Sequence, residues 1–110
     1  MDRCNLILVS STEIGSTSLE SRAATFGALS DPIRLSILDQ LQRSRRCVCE
    51  LQEGLDIAPN LLSYHLRVLR EAGLVESTRR GRWVDYRLSD DATTRVTSAL
   101  PPLLVEEVSR

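Results

Sequence analysis

The stretch from residue 59 to residue 73 constrains the fold more than any other part of the chain. Its apolar side chains Leu62, Leu66 and Leu69 recur at the spacing of one helical face, while Asn60, Ser63, Tyr64 and Arg67 project from the other. Pro59 suits the opening of such a helix, because its missing N–H is one that the first turn leaves unbonded, and Gly73 suits its end. A short helical segment at residues 48–55 precedes it, and only Asp56-Ile57-Ala58 lies between them. That is the arithmetic of a helix-turn-helix. Two strands follow at residues 74–78 and 83–88, joined through Arg79-Arg80-Gly81-Arg82, with glycine supplying the turn. The expected fold is mainly α with a small β-hairpin: a winged helix-turn-helix whose hairpin is the wing.

Upstream, Leu19, Ala23, Phe26 and Leu29 fall on one face of a further helix, which Ser30-Asp31-Pro32 closes. Asp31 is a good N-cap and Pro32 a good first residue for the next helix, where Ile33, Ile37, Leu38 and Leu41 keep helical spacing up to the basic run Arg43-Ser44-Arg45-Arg46. Residues 1–17, rich in Ser and Thr, read as a flexible N-terminal arm, and residues 18–110 as one domain. Residues 90–110 read as a helical dimerisation segment that Pro101-Pro102 must break near Leu100, with a short terminal helix beyond. No apolar run approaches the ~18 residues of a membrane span, so the expected location is cytoplasmic and no membrane partner is expected.

The whole chain is nearly neutral, with 14 Lys+Arg against 15 Asp+Glu, and every basic residue is arginine. Distribution matters more than the total. Between residues 60 and 89, Arg67, Arg70, Arg79, Arg80, Arg82 and Arg87 face only Glu71, Glu76 and Asp85, a local balance of +3. Arg79, Arg80 and Arg82 crowd one hairpin tip, where they repel one another unless an anion such as phosphate is present. On the preceding helix Asn60, Ser63, Tyr64 and Arg67 form an array that a major groove could meet, since Asn pairs with adenine, Arg with guanine and Ser with either. A polar stripe is equally the solvated face of an amphipathic helix, and a basic turn equally a soluble one. The agreement of helix-turn-helix, wing and local charge favours double-stranded DNA as partner.

The run Ser63-Tyr64-His65-Leu66-Arg67-Val68-Leu69-Arg70-Glu71-Ala72-Gly73-Leu74-Val75 with Arg80-Gly81-Arg82-Trp83-Val84-Asp85-Tyr86-Arg87-Leu88 resembles the ArsR/SmtB family of metal-responsive repressors. Leu29-Ser30-Asp31-Pro32-Ile33-Arg34-Leu35-Ser36-Ile37-Leu38 fits the same pattern, so the resemblance covers residues 19–89. It implies a dimer bound to operator DNA, and gives Ser63 and His65 a DNA-reading role. His65 lies near the edge of the core face, so a partly buried histidine that orients the helix is the other reading.

Cys47-Val48-Cys49-Glu50-Leu51 resembles the metal-binding box of the family's arsenic and cadmium/lead repressors. Residues two apart on an ideal helix point ~200° away from each other, so the expectation is that both thiolates share one ion only where the helix start is distorted. Arg43, Arg45 and Arg46 are expected to lower the thiol pKa values. A third cysteine that many arsenic repressors carry is replaced by Gln52 here. By resemblance to the cadmium/lead repressors, Cys4 of one subunit joins Cys47 and Cys49 of the other, across a tether of ~13 residues at ~3.4 Å each. Three thiolates favour soft effector ions: arsenite, antimonite, cadmium or lead. Plain burial or a thiol redox switch would also explain the Cys47/Cys49 pair, and a role-free tail residue would explain Cys4. Residues 90–110 lack histidine, so the family's C-terminal metal site is not expected.

Leu19, Phe26, Leu103, Leu104, Val105 and Val108 could supply the apolar surface of a homodimer, or the core of a single chain. A winged helix that binds protein instead of DNA is a further reading. With a single histidine and no acid beside it, no nucleophile–base pair can be assembled, and an enzyme is not expected.

Overall fold

The computed structural model describes residues 18–101. Five helices and three strands succeed one another as α1 (Leu19–Leu29), α2 (Pro32–Arg43), β1 (Arg46–Cys47), α3 (Val48–Leu55), α4 (Pro59–Glu71), β2 (Val75–Arg80), β3 (Trp83–Leu88) and α5 (Ala92–Ala99). The expected arm at residues 1–17, with Cys4, lies outside the described residues, as do the terminal helix and Leu103, Leu104, Val105 and Val108.

The helix ends follow local chemistry. Ser18 caps α1 through its hydroxyl, which accepts from the N–H of Ser21 at 3.0 Å. Asp31 caps α2, its Oδ1 accepting from Ile33 at 2.8 Å and Arg34 at 3.2 Å. Partial desolvation pushes the Asp31 carboxyl upward, yet these N–H donors outweigh it and hold the pKa below 3.8. α4 ends through Gly73, whose φ of +78° only glycine adopts freely, and a Cβ there would stand 2.5 Å from the Arg95 guanidinium. Leu100 is extended, as a residue before proline must be, and α5 stops at Ala99.

One core joins these elements. Ile37 and Leu41 from α2, Leu51 from α3, Leu62, Leu66 and Leu69 from α4, Leu74, Val75 from β2 and Tyr86 from β3 are all buried. α1 contributes Ala28 to it and packs along α5, where Arg22 Nε donates to the Ala99 carbonyl at 3.2 Å. Of the α1 face read as apolar, Leu19, Ala23 and Phe26 are exposed and Leu29 is half-buried, while Thr25 and Ala28 turn inward.

The hairpin differs from expectation in two ways. β2 runs on to Arg80, and Arg80 pairs with Trp83, leaving Gly81-Arg82 as a two-residue turn. Positive φ at Gly81 alone, +61°, is the II′ pattern that matches strand twist. The second difference is a third strand: β1 adds to the other edge of β3 in the order β1-β3-β2, with Arg46 opposite Tyr86 and Cys47 opposite Asp85. The cysteine pair is therefore built into the wing sheet as well as into α3.

Candidate nucleic-acid interface and cysteine pair

α4 presents the polar array the sequence implies. Asn60, Ser63, Tyr64 and Arg67 are exposed, and the Arg67 guanidinium lies 6.0 Å from the Tyr64 ring centroid. Arg67 makes no ion pair among the described residues, so its charge is free for an external acceptor.

His65 is a correction to the DNA-reading set. It is 5% exposed, under the helix instead of on its outer face, and its Nδ1 lies 2.9 Å from Nη1 of Arg34. A base edge cannot reach a ring so covered. Because arginine only donates, Nδ1 must be the acceptor, which assigns the neutral ring its proton at Nε2. Arg34 escaped sequence reasoning, since nothing local links it to a position 31 residues away.

Wing arginines are not equivalent. Arg79 and Arg82 are exposed, with Arg79 Nη1 reaching the Gly81 carbonyl at 3.3 Å. Arg80 is already bound: Nε meets Asp85 Oδ2 at 2.5 Å and Nη2 meets Oδ1 at 3.1 Å, a two-pronged pair on a carboxylate only 3% exposed. The expected phosphate role of Arg80 needs this correction. Fixing the turn at Gly81-Arg82 gives the signal, because Asp85 then stands opposite Thr78, diagonal to Arg80 on the same sheet face. Trp83, half exposed beside Arg82, also belongs to this surface.

Cys47 caps α3 with extended backbone, φ −84° and ψ 166°, and its N–H donates to Glu50 Oε1 at 2.9 Å. Only Cys49 is inside the helix. The expected need to distort α3 therefore falls away, since the ~200° separation applies to two helical residues and Cys47 precedes the helix with extended backbone. Both are free, Cys47 half-buried and Cys49 exposed.

The expected lowering of the thiol pKa values is corrected at Cys49. Partial desolvation, then the charge and hydrogen bond of Cys47, then Glu53, push Cys49 above its ordinary 9.0. The arginines act elsewhere: Arg45 bears on Asp85, and Arg46, opposite Tyr86, points to the other sheet face from Cys47. Among the described residues no group of three or more His, Cys, Asp or Glu side chains is placed to hold a metal ion. Two soft sulfur donors fit a soft ion in kind, and the third sulfur named from the sequence, Cys4, lies outside the described residues. No described helix is long and apolar enough to cross a membrane.

Residues 31–77 match the family model for bacterial regulatory proteins of the arsR family. The chain is similar to the arsenical resistance operon repressor of Bacillus subtilis (strain 168), 37% identical over 87 residues, covering 78% of this chain and 83% of that one. It is also similar to the HTH-type transcriptional repressor SmtB of Mycobacterium tuberculosis, 43% identical over 72 residues and 66% of this chain, but spans only about half (53%) of that relative's length. Among solved structures, a homodimeric winged helix-turn-helix DNA-binding domain from Mycobacterium bovis superposes with a TM-score of 0.65 at 30% identity, covering 83% of this chain and 80% of that one. Sequence and architecture agree, and the chain belongs to the arsR family of bacterial regulatory proteins, in the winged helix-turn-helix fold.

Proposed function

We propose that this chain is a cytoplasmic, homodimeric transcriptional repressor that holds double-stranded operator DNA through α4 and the wing. A soft metal or metalloid ion, arsenite, antimonite, cadmium or lead, releases it by binding Cys47, Cys49 and Cys4. Asn60, Ser63, Tyr64 and Arg67 meet base edges, and Arg79 and Arg82 meet phosphates. Exposed Leu19, Phe26 and Leu100 support the dimer, being apolar surface that a partner copy would cover. The observation that carries the sensing step is the thiol pair at the junction of β1 and α3. Cys47 belongs to the wing sheet, opposite Asp85, and Cys49 to α3, so drawing both onto one centre with Cys4 pulls on the wing. The ion supplies only differential affinity for the DNA-free arrangement.

A thiol-oxidation signal at the same pair is the rival reading. The raised Cys49 pKa does not separate the two readings, because the thiolate is both the nucleophile toward oxidants and the metal ligand. The test is anaerobic titration of the purified protein on its own upstream DNA with arsenite, cadmium, lead and zinc, alongside Cys47→Ser, Cys49→Ser and Cys4→Ser. Soft ions should release the parent and none of the three variants. If Cys4→Ser responds as the parent does, the three-sulfur site is wrong; if no ion releases DNA, the metal-sensing reading falls.

A further inference from the structure

The Arg34 guanidinium joins three helices at one point. Its Nε donates to the Ala28 carbonyl at 2.9 Å and its Nη2 to the Gly27 carbonyl at 3.2 Å, both in the last turn of α1. Both carbonyls sit at the negative end of the α1 dipole, where a cation is stabilised, and the Gly27 carbonyl also accepts from the Ser30 N–H at 3.2 Å and the Ser30 hydroxyl at 3.0 Å. The third prong, Nη1, reaches His65 Nδ1 in α4 at 2.9 Å. Arg34 is itself fixed, because its N–H is one of the two that Asp31 caps at the start of α2. His65 lies directly beside Tyr64 in sequence, and the two rings meet edge to face, centroids 5.2 Å apart.

We infer that Arg34 and His65 are positioning residues for DNA reading: the Arg34 fork locks the rotation of α4 about its own axis to the C-terminus of α1. The apolar contacts of Leu62, Leu66 and Leu69 keep α4 on the core, but they are non-directional. A hydrogen bond from a fixed guanidinium to one ring nitrogen is directional, and rotating α4 would break it. Rotation is the freedom that would swing Asn60, Ser63, Tyr64 and Arg67 away from base edges. α1 also carries exposed Leu19 and Phe26, so the same fork ties the reading face to the surface proposed for the partner subunit.

This inference rests on the DNA-binding reading above, and one experiment separates the two. Affinities of the full-length parent, His65→Leu, His65→Asn, His65→Gln and Arg34→Lys are measured on the upstream operator and on unrelated DNA across a salt series. His65→Leu keeps an apolar body under the helix and should lose roughly tenfold in operator affinity, the cost of about one mismatched base pair. Its affinity for unrelated DNA and its salt slope should not change, because phosphate contacts set both. The Asn amide oxygen falls near the position of Nδ1 and should restore operator preference; the longer Gln places its oxygen nearer Nε2 and should not. Arg34→Lys, unable to fork three ways, should behave as His65→Leu.

Parent-like operator preference in His65→Leu overturns the inference, as does failure of His65→Asn to restore it. Equal loss on operator and unrelated DNA, with a lowered melting temperature, also overturns it, since that is a merely structural role. A parent that does not distinguish operator from unrelated DNA sinks the DNA-reading proposal and this one with it. A discriminating parent with an unaffected His65→Leu sinks this one alone.

Discussion

α4 and the wing are both assigned to DNA, yet different forces hold them. Beneath α4 lie Leu62, His65, Leu66 and Leu69, all buried, so the helix cannot lift away without opening the core. In β2 every residue after Val75 is exposed, and the outer part of the hairpin is held by strand pairing and by the Arg80–Asp85 pair. Cys47 sits opposite Asp85, the partner of Arg80, on the neighbouring strand. The difference teaches where a signal can act. On the proposed mechanism a change at Cys47 moves the wing at the cost of polar contacts near the surface, whereas lifting α4 off the core costs buried hydrocarbon and turning it breaks the Arg34–His65 hydrogen bond. On that proposal the helix is the fixed reader and the wing the adjustable clamp.

The largest expected effect tests the fixed half. Leu66→Ala removes a buried side chain 2% exposed from under α4 and should destabilise the fold by ~2–5 kcal/mol, read from urea denaturation. Thr78→Ala, at an exposed position of β2, should leave the midpoint within ~0.5 kcal/mol of the parent. Equal losses at the two positions would remove the contrast between a core-held helix and a pairing-held wing.

A smaller effect separates reading from clamping. Arg67→Ala should cost ~1–3 kcal/mol of discrimination at the base pairs its side chain meets. Arg82→Ala should weaken all sequences alike and flatten the plot of log affinity against log salt by ~0.9. A sequence-specific loss for Arg82→Ala would make the wing a reader too.

The reader was far more legible in the sequence than the clamp. α4 announces itself through a helical repeat of leucines between Pro59 and Gly73, long enough for periodicity to speak. β1 is two residues, Arg46–Cys47, and two residues have no period; only β3 beside it makes it a strand. Placing four residues in the wing connection hid the register, and with it the diagonal from Arg80 to Asp85. The same omission misjudged the thiols, because strand alternation turns Arg46 away from Cys47. Arg34 was invisible for a further reason: its partners, Gly27, Ala28 and His65, come from two other helices, and no local pattern encodes a three-way contact.

The smallest effect probes the clamp's own fastening. The Arg80 hydrogen bonds, with the Arg80 and Arg45 charges, hold the Asp85 carboxyl below 3.8 against the opposing effect of desolvation. A carboxyl whose folded pKa is depressed adds stability that is fully present above its unfolded value and is lost as pH falls through the folded one. Asp85→Asn has no such proton to take up, so its unfolding should be shallower in pH below 3.8, by about one proton in the linkage slope. The same substitution releases Arg80, a cation whose side chain is 60% exposed, to meet phosphate. The salt slope of DNA binding should then steepen by ~0.9, opposite in sign to Arg82→Ala. Both slopes come from one substitution and one fastening, so they must move together. A steeper salt slope with an unchanged acid slope would mean that Asp85 restrains Arg80 without being protected by it, and the wing would be held by strand pairing alone.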